Sequence, residues 1–60
     1  LSPDRVVTYL NLADALWKNS DKESAQIAYK KYVSLMKSNN NEREIPDYVI
    51  KRTRTKSNPN

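Results

Sequence analysis

A reaction needs a base, a nucleophile or an activated ligand, and this chain holds few residues that supply them. It has no His and no Cys, which removes imidazole and thiolate chemistry and the usual zinc ligands, haem ligands and disulfides. It also has no Gly, so a glycine-rich loop cradling phosphate cannot be built in the usual way. Carboxylates remain as candidates for acid–base work. Yet Asp14, Asp21, Glu23, Glu42, Glu44 and Asp47 are spread like helix caps and solvated surface groups, with no convergent pair. The expectation is a protein that is not an enzyme and that carries no metal or cofactor.

Cations are the second resource. Eleven Lys and Arg against seven Asp and Glu give a formal charge of +4. Residues 1–41 are nearly balanced, and the excess gathers at Lys51, Arg52, Arg54 and Lys56. Each of these would favour a phosphate and give salt-dependent binding. No aromatic is interleaved with them to stack bases, so nucleic acid or another polyanion is the lesser reading beside a solubilising tail. No apolar run approaches the ~18 residues of a membrane span, and no signal-peptide pattern appears. The compartment stays open.

The elements that would position these groups are helical. The spacing predicts a first helix from about Pro3 to Lys18, with Ser2 as N-cap, Pro3 in the first position and Asp4 at the positive end of the dipole. Its apolar residues, Val6, Val7, Tyr9, Leu10, Leu12, Ala13, Leu16 and Trp17, spread over about 220° of the helix, so contacts on two sides are expected. Asn19-Ser20-Asp21 is the turn. Ser20 and Glu23 read as a capping box opening a second helix from about Asp21 to Ser38. Ala25, Ala28, Tyr29, Tyr32, Val33, Leu35 and Met36 form its apolar arc, with Lys30, Lys31 and Ser34 opposite. Small Ala13 and Ala25 let the two helices approach closely.

Asn39-Asn40-Asn41 ends the second helix, since Asn tolerates a left-handed C-cap. Pro46 suits only a first helical turn, which predicts a short third helix from about Pro46 to Thr53 with Tyr48 anchoring it. Residues 55–60 are polar and expected to be disordered. The fold class is therefore all-α: an antiparallel helix–turn–helix hairpin over 1–38, a linker and capping helix over 39–54, then a basic, polar tail over 55–60. Sixty residues make one domain at most, burying only ~60% of the unfolded surface.

The string Tyr9-x2-Leu12-Ala13-x2-Leu16-x8-Ala25-x3-Tyr29-x2-Tyr32 resembles the tetratricopeptide repeat, a 34-residue helical hairpin patterned W-x2-L-G-x2-Y, then A-x3-F, then P. The resemblance covers Leu1 to about Lys37. Pro3 stands where a preceding repeat's closing proline would, so residues 1–3 read as the end of an earlier repeat and the chain as part of a longer array. Four departures stand out. Ala13 replaces a glycine, Ser20 replaces a turn glycine at little cost if its backbone angles are ordinary, Tyr32 replaces a small alanine, and Lys37 replaces the proline. The last two fit a terminal repeat with an atypical outer face.

The resemblance implies protein–protein interaction, a scaffold role with a protein or peptide partner. It implies a concave inner face formed here by Val7, Leu10, Asn11, Asp14, Trp17 and Lys18, with Trp17 as an anchor or as packing for a preceding repeat. A purely structural C-terminal cap is the alternative. Self-association of the isolated chain is expected through the uncovered side of the first helix.

Overall fold

The computed structural model describes residues 3–54; the expectations placed on Ser2, on Lys56 and on the tail at 55–60 lie outside them. The described residues are all-α, with three helices and no strand: α1 (Pro3–Lys18), α2 (Lys22–Ser38) and α3 (Asp47–Arg54), with a 3₁₀ turn at Glu42–Glu44. Helices α1 and α2 pack as a hairpin, and α3 lies against α2.

Both corners are built alike. At the end of α1 the Ser20 amide donates to the Trp17 carbonyl at 3.1 Å and the Asp21 amide to the Leu16 carbonyl at 3.0 Å. At the end of α2 the Asn40 amide donates to Lys37 at 3.0 Å and the Asn41 amide to Met36 at 2.8 Å. Each pair is a Schellman closure, which needs one left-handed residue. Ser20 (φ 66°) and Asn40 (φ 60°) supply it.

This corrects the reading of the first turn. Ser20 does not cap α2; it ends α1 in the left-handed region, so the condition of ordinary angles for a cheap glycine replacement is not met. Asp21 is the cap instead, its carboxylate accepting from the Ser24 amide at 3.3 Å. The capping box therefore does not form, and α2 starts at Lys22. The two functions compete for a short link, and the corner uses Ser20 first.

The core is Val6, Ala13, Ala25, Ala28, Tyr29, Tyr32, Met36, Ile45 and Val49. Ala13 and Ala25 are fully enclosed, so no side chain stands between the helices there, and the hairpin closes tightly as their size suggests. Tyr29 and Val49 are the largest fully buried side chains. Val49 is how α3 joins the core. Leu12, a pattern position expected to pack, is 49% exposed. It lies on the side of α1 away from Asp14 and Trp17, beside half-buried Tyr9 and Leu16.

Candidate binding cleft

Asp14 and Trp17 sit three residues apart and share the edge of α1 nearest α3. Tyr48 and Arg52, four apart, share the facing edge of α3. Tyr29 of α2 lies between them, its ring enclosed and its hydroxyl reaching the gap. Long side chains, rather than backbone contact, bridge α3 to α1.

The hydroxyl of Tyr29 donates to Asp14 Oδ1 at 2.5 Å and accepts from Arg52 Nη1 at 2.5 Å. The Tyr48 hydroxyl donates to Asp14 Oδ2 at 3.0 Å. Arg52 Nη1 also stands 3.5 Å from Asp14 Oδ1. One carboxylate on α1 thus collects two phenols and a guanidinium from the other two helices. Charge-assisted bonds of this kind are shorter and stronger than neutral ones.

The guanidinium of Arg52 is also enclosed by rings. Its carbon lies 4.7 Å from the Trp17 ring centre, 4.7 Å from that of Tyr48 and 5.7 Å from that of Tyr29. Lys22 Nζ sits 5.2 Å from the Trp17 ring centre. The rings meet edge-on, Trp17 to Tyr29 at 6.1 Å and Tyr29 to Tyr48 at 6.3 Å, the geometry that places a positive ring edge on a negative face. Gln26 Nε2 donates to the Arg52 carbonyl at 2.9 Å, satisfying one of the orphan acceptors at the end of α3.

This environment holds the phenols protonated. Burial and the hydrogen bond to Asp14 push Tyr48 up to about 12. Burial, then the Asp14 carboxylate, also raises Tyr29, with Arg52 acting in the opposite direction. Burial raises Tyr32 too, with the charge of Glu44 adding to it. At neutral pH these hydroxyls serve as donors rather than bases.

Beside the network lies an open cavity of about 550 Å³, lined by Asp14, Ala15, Trp17, Lys18, Tyr48 and Arg52. Three of the six inner-face residues, Asp14, Trp17 and Lys18, therefore line one cleft. Val7 and Asn11 are exposed and Leu10 is half-buried, all outside that lining. Trp17 is half-buried and rests against Arg52 and Tyr29 of its own chain while still lining the cavity. Among the tail cations, Arg52 is turned inward onto Asp14, whereas Lys51 and Arg54 are exposed on α3.

The inner face read from the sequence omits Tyr48 and Ala15, and the basic-tail reading of Arg52 does not reach this cleft. The matched spacings, three on α1 and four on α3, were the available signal. Among the described residues no group of His, Cys, Asp or Glu could hold a metal ion, and no helix is long and apolar enough to cross a membrane. Compared with protein-family models, curated proteins and solved structures, the chain matches none.

Proposed function

We propose that the chain is a non-catalytic protein–protein interaction module of tetratricopeptide type, holding a peptide in the cleft between α1 and α3. The observation that carries this reading is the cleft itself. An aromatic wall of Trp17 and Tyr48 stands beside the charged groups Lys18 and Arg52 around about 550 Å³, and binding sites combine such apolar walls with a few fixed polar groups. The half-covered strip of Tyr9, Leu12 and Leu16 supports the repeat reading, because a stacked unit leaves one such side for its neighbour.

A display library of random peptides, selected on the full chain, tests it. The selected peptide should shift backbone amide resonances at Asp14, Trp17, Lys18 and Tyr48, and Lys18→Glu should change its affinity about tenfold, or ~1.4 kcal/mol. Shifts confined to other surfaces would overturn the assignment.

The structural-cap reading has its own support in Val49, which is 0% exposed, and in the Arg52 network. Under that reading α3 exists to cover α2, and Lys18→Glu leaves all binding by the parent protein unchanged.

A further inference from the structure

The outward side of α2 carries a second depression, away from the peptide cleft. Lys30, Val33, Ser34 and Lys37 of α2 and Thr53 of α3 line a groove of about 370 Å³. Lys30 and Lys37 are exposed, and neither pairs with a carboxylate among the described residues. No acidic side chain belongs to the lining. Seven residues at 1.5 Å each set the two lysines about 10 Å apart along the helix, with Ser34 between them on the same stripe. Thr53 Oγ1 donates to the Ile50 carbonyl at 2.8 Å, so Thr53 shapes the wall while the lysines supply the charge. Exposed Arg54 follows it.

We propose that this groove seats the phosphodiester backbone of nucleic acid, with Lys30 and Lys37 each meeting a phosphate. A strand carries one phosphate per about 3.4 Å of axis, so two ammonium groups about 10 Å apart, each on a flexible stem, can reach separate phosphates of one strand. No aromatic lines the groove, so bases are not stacked and sequence is not read. The basic surface is thereby centred on α2. The terminal cluster read from the sequence loses Arg52 to Asp14. The groove lies on a different face from the peptide cleft, and the two assignments stand or fall separately.

The test uses the full chain, two unrelated DNA duplexes and filter binding across about 50–200 mM salt. Equal affinity for both duplexes is expected. The Lys30→Gln/Lys37→Gln double variant should lower the log–log salt slope by about 2 and weaken low-salt binding at least about tenfold. Lys31→Gln, on another side of α2, should lower the slope by no more than about one contact, and circular dichroism should show all variants equally helical. Three results would overturn the proposal: no salt-dependent duplex binding, a Lys31→Gln effect as large as the double variant's, or Lys30- and Lys37-dependent binding seen only with phosphatidylserine vesicles.

Discussion

Replacing Arg52 with Ala removes one of the side chains that tie α3 to the rest of the molecule, and the contacts set its cost. Three ring faces lie within 6 Å of the guanidinium, each contributing about 0.5 kcal/mol at a partly exposed site. The charged hydrogen bond to Tyr29 adds about 1 kcal/mol net. The ion pair with Asp14 adds less than ~1 kcal/mol, because the two side chains are 30% and 40% exposed and solvent screens them. These terms overlap on one group, so about 2–3 kcal/mol is expected in all. For a chain of this size that lowers Tm by roughly 10–20 °C.

Thermal circular dichroism reads that loss, and amide exchange should show the 47–54 segment opening before the hairpin. Arg52→Lys keeps the charge but not the planar fork, and should recover less than half. A loss under about 0.5 kcal/mol for Arg52→Ala, or full rescue by Lys, would refute the account, since the Val49 and Tyr48 contacts, or charge alone, would then suffice to hold α3.

The corners make an opposite prediction. Ser20→Gly should stabilise by about 1 kcal/mol because Ser20 sits at positive φ, while Asn40→Gly should gain less, since Asn tolerates that region; Asp21→Ala should cost about 1 kcal/mol, all three read by urea denaturation. Alkaline pH should act through the phenols. Tyr48, held at about 12 when folded against ~10 unfolded, keeps its proton longer in the folded state, so stability is full below pH ~10 and falls as pH rises toward 12. Absorbance titration at 295 nm should show a late ionisation that disappears in Tyr48→Phe. Sedimentation velocity at several concentrations should reveal self-association of the chain, and Leu12→Glu should abolish it; a monomer at every concentration would argue against a second packing side on α1.

The hairpin was legible because its signals are local and redundant. Pro3 and the apolar spacing from Val6 to Trp17 set α1, and the enclosed pair Ala13 and Ala25 followed from size alone. The Asn39–Asn41 run announced the second corner. Ser20 misled because serine suits both an N-cap and, at some strain, a left-handed C-terminus; the neighbouring Asp21, an equally good cap, takes the first role and leaves Ser20 the second. The exposure of Leu12 could not be singled out, because periodicity marks every apolar residue of α1 without saying which side is covered. The Asp14 network was out of reach for a different reason. Its members come from three helices, 15 and 38 positions apart for Tyr29 and Arg52, and polar groups leave no periodic trace when their partners lie on other elements. Arg52 in particular resembles its basic neighbours until the fold turns it inward.

Trp17 is the sole tryptophan, and it stands where all three helices meet, with a guanidinium against its ring. Indole emission shifts in colour and yield with nearby charge and water, so the molecule carries its own optical gauge of whether α3 is seated. Departure of α3 would change that signal before the hairpin itself came apart, letting the two events be timed separately without any added label.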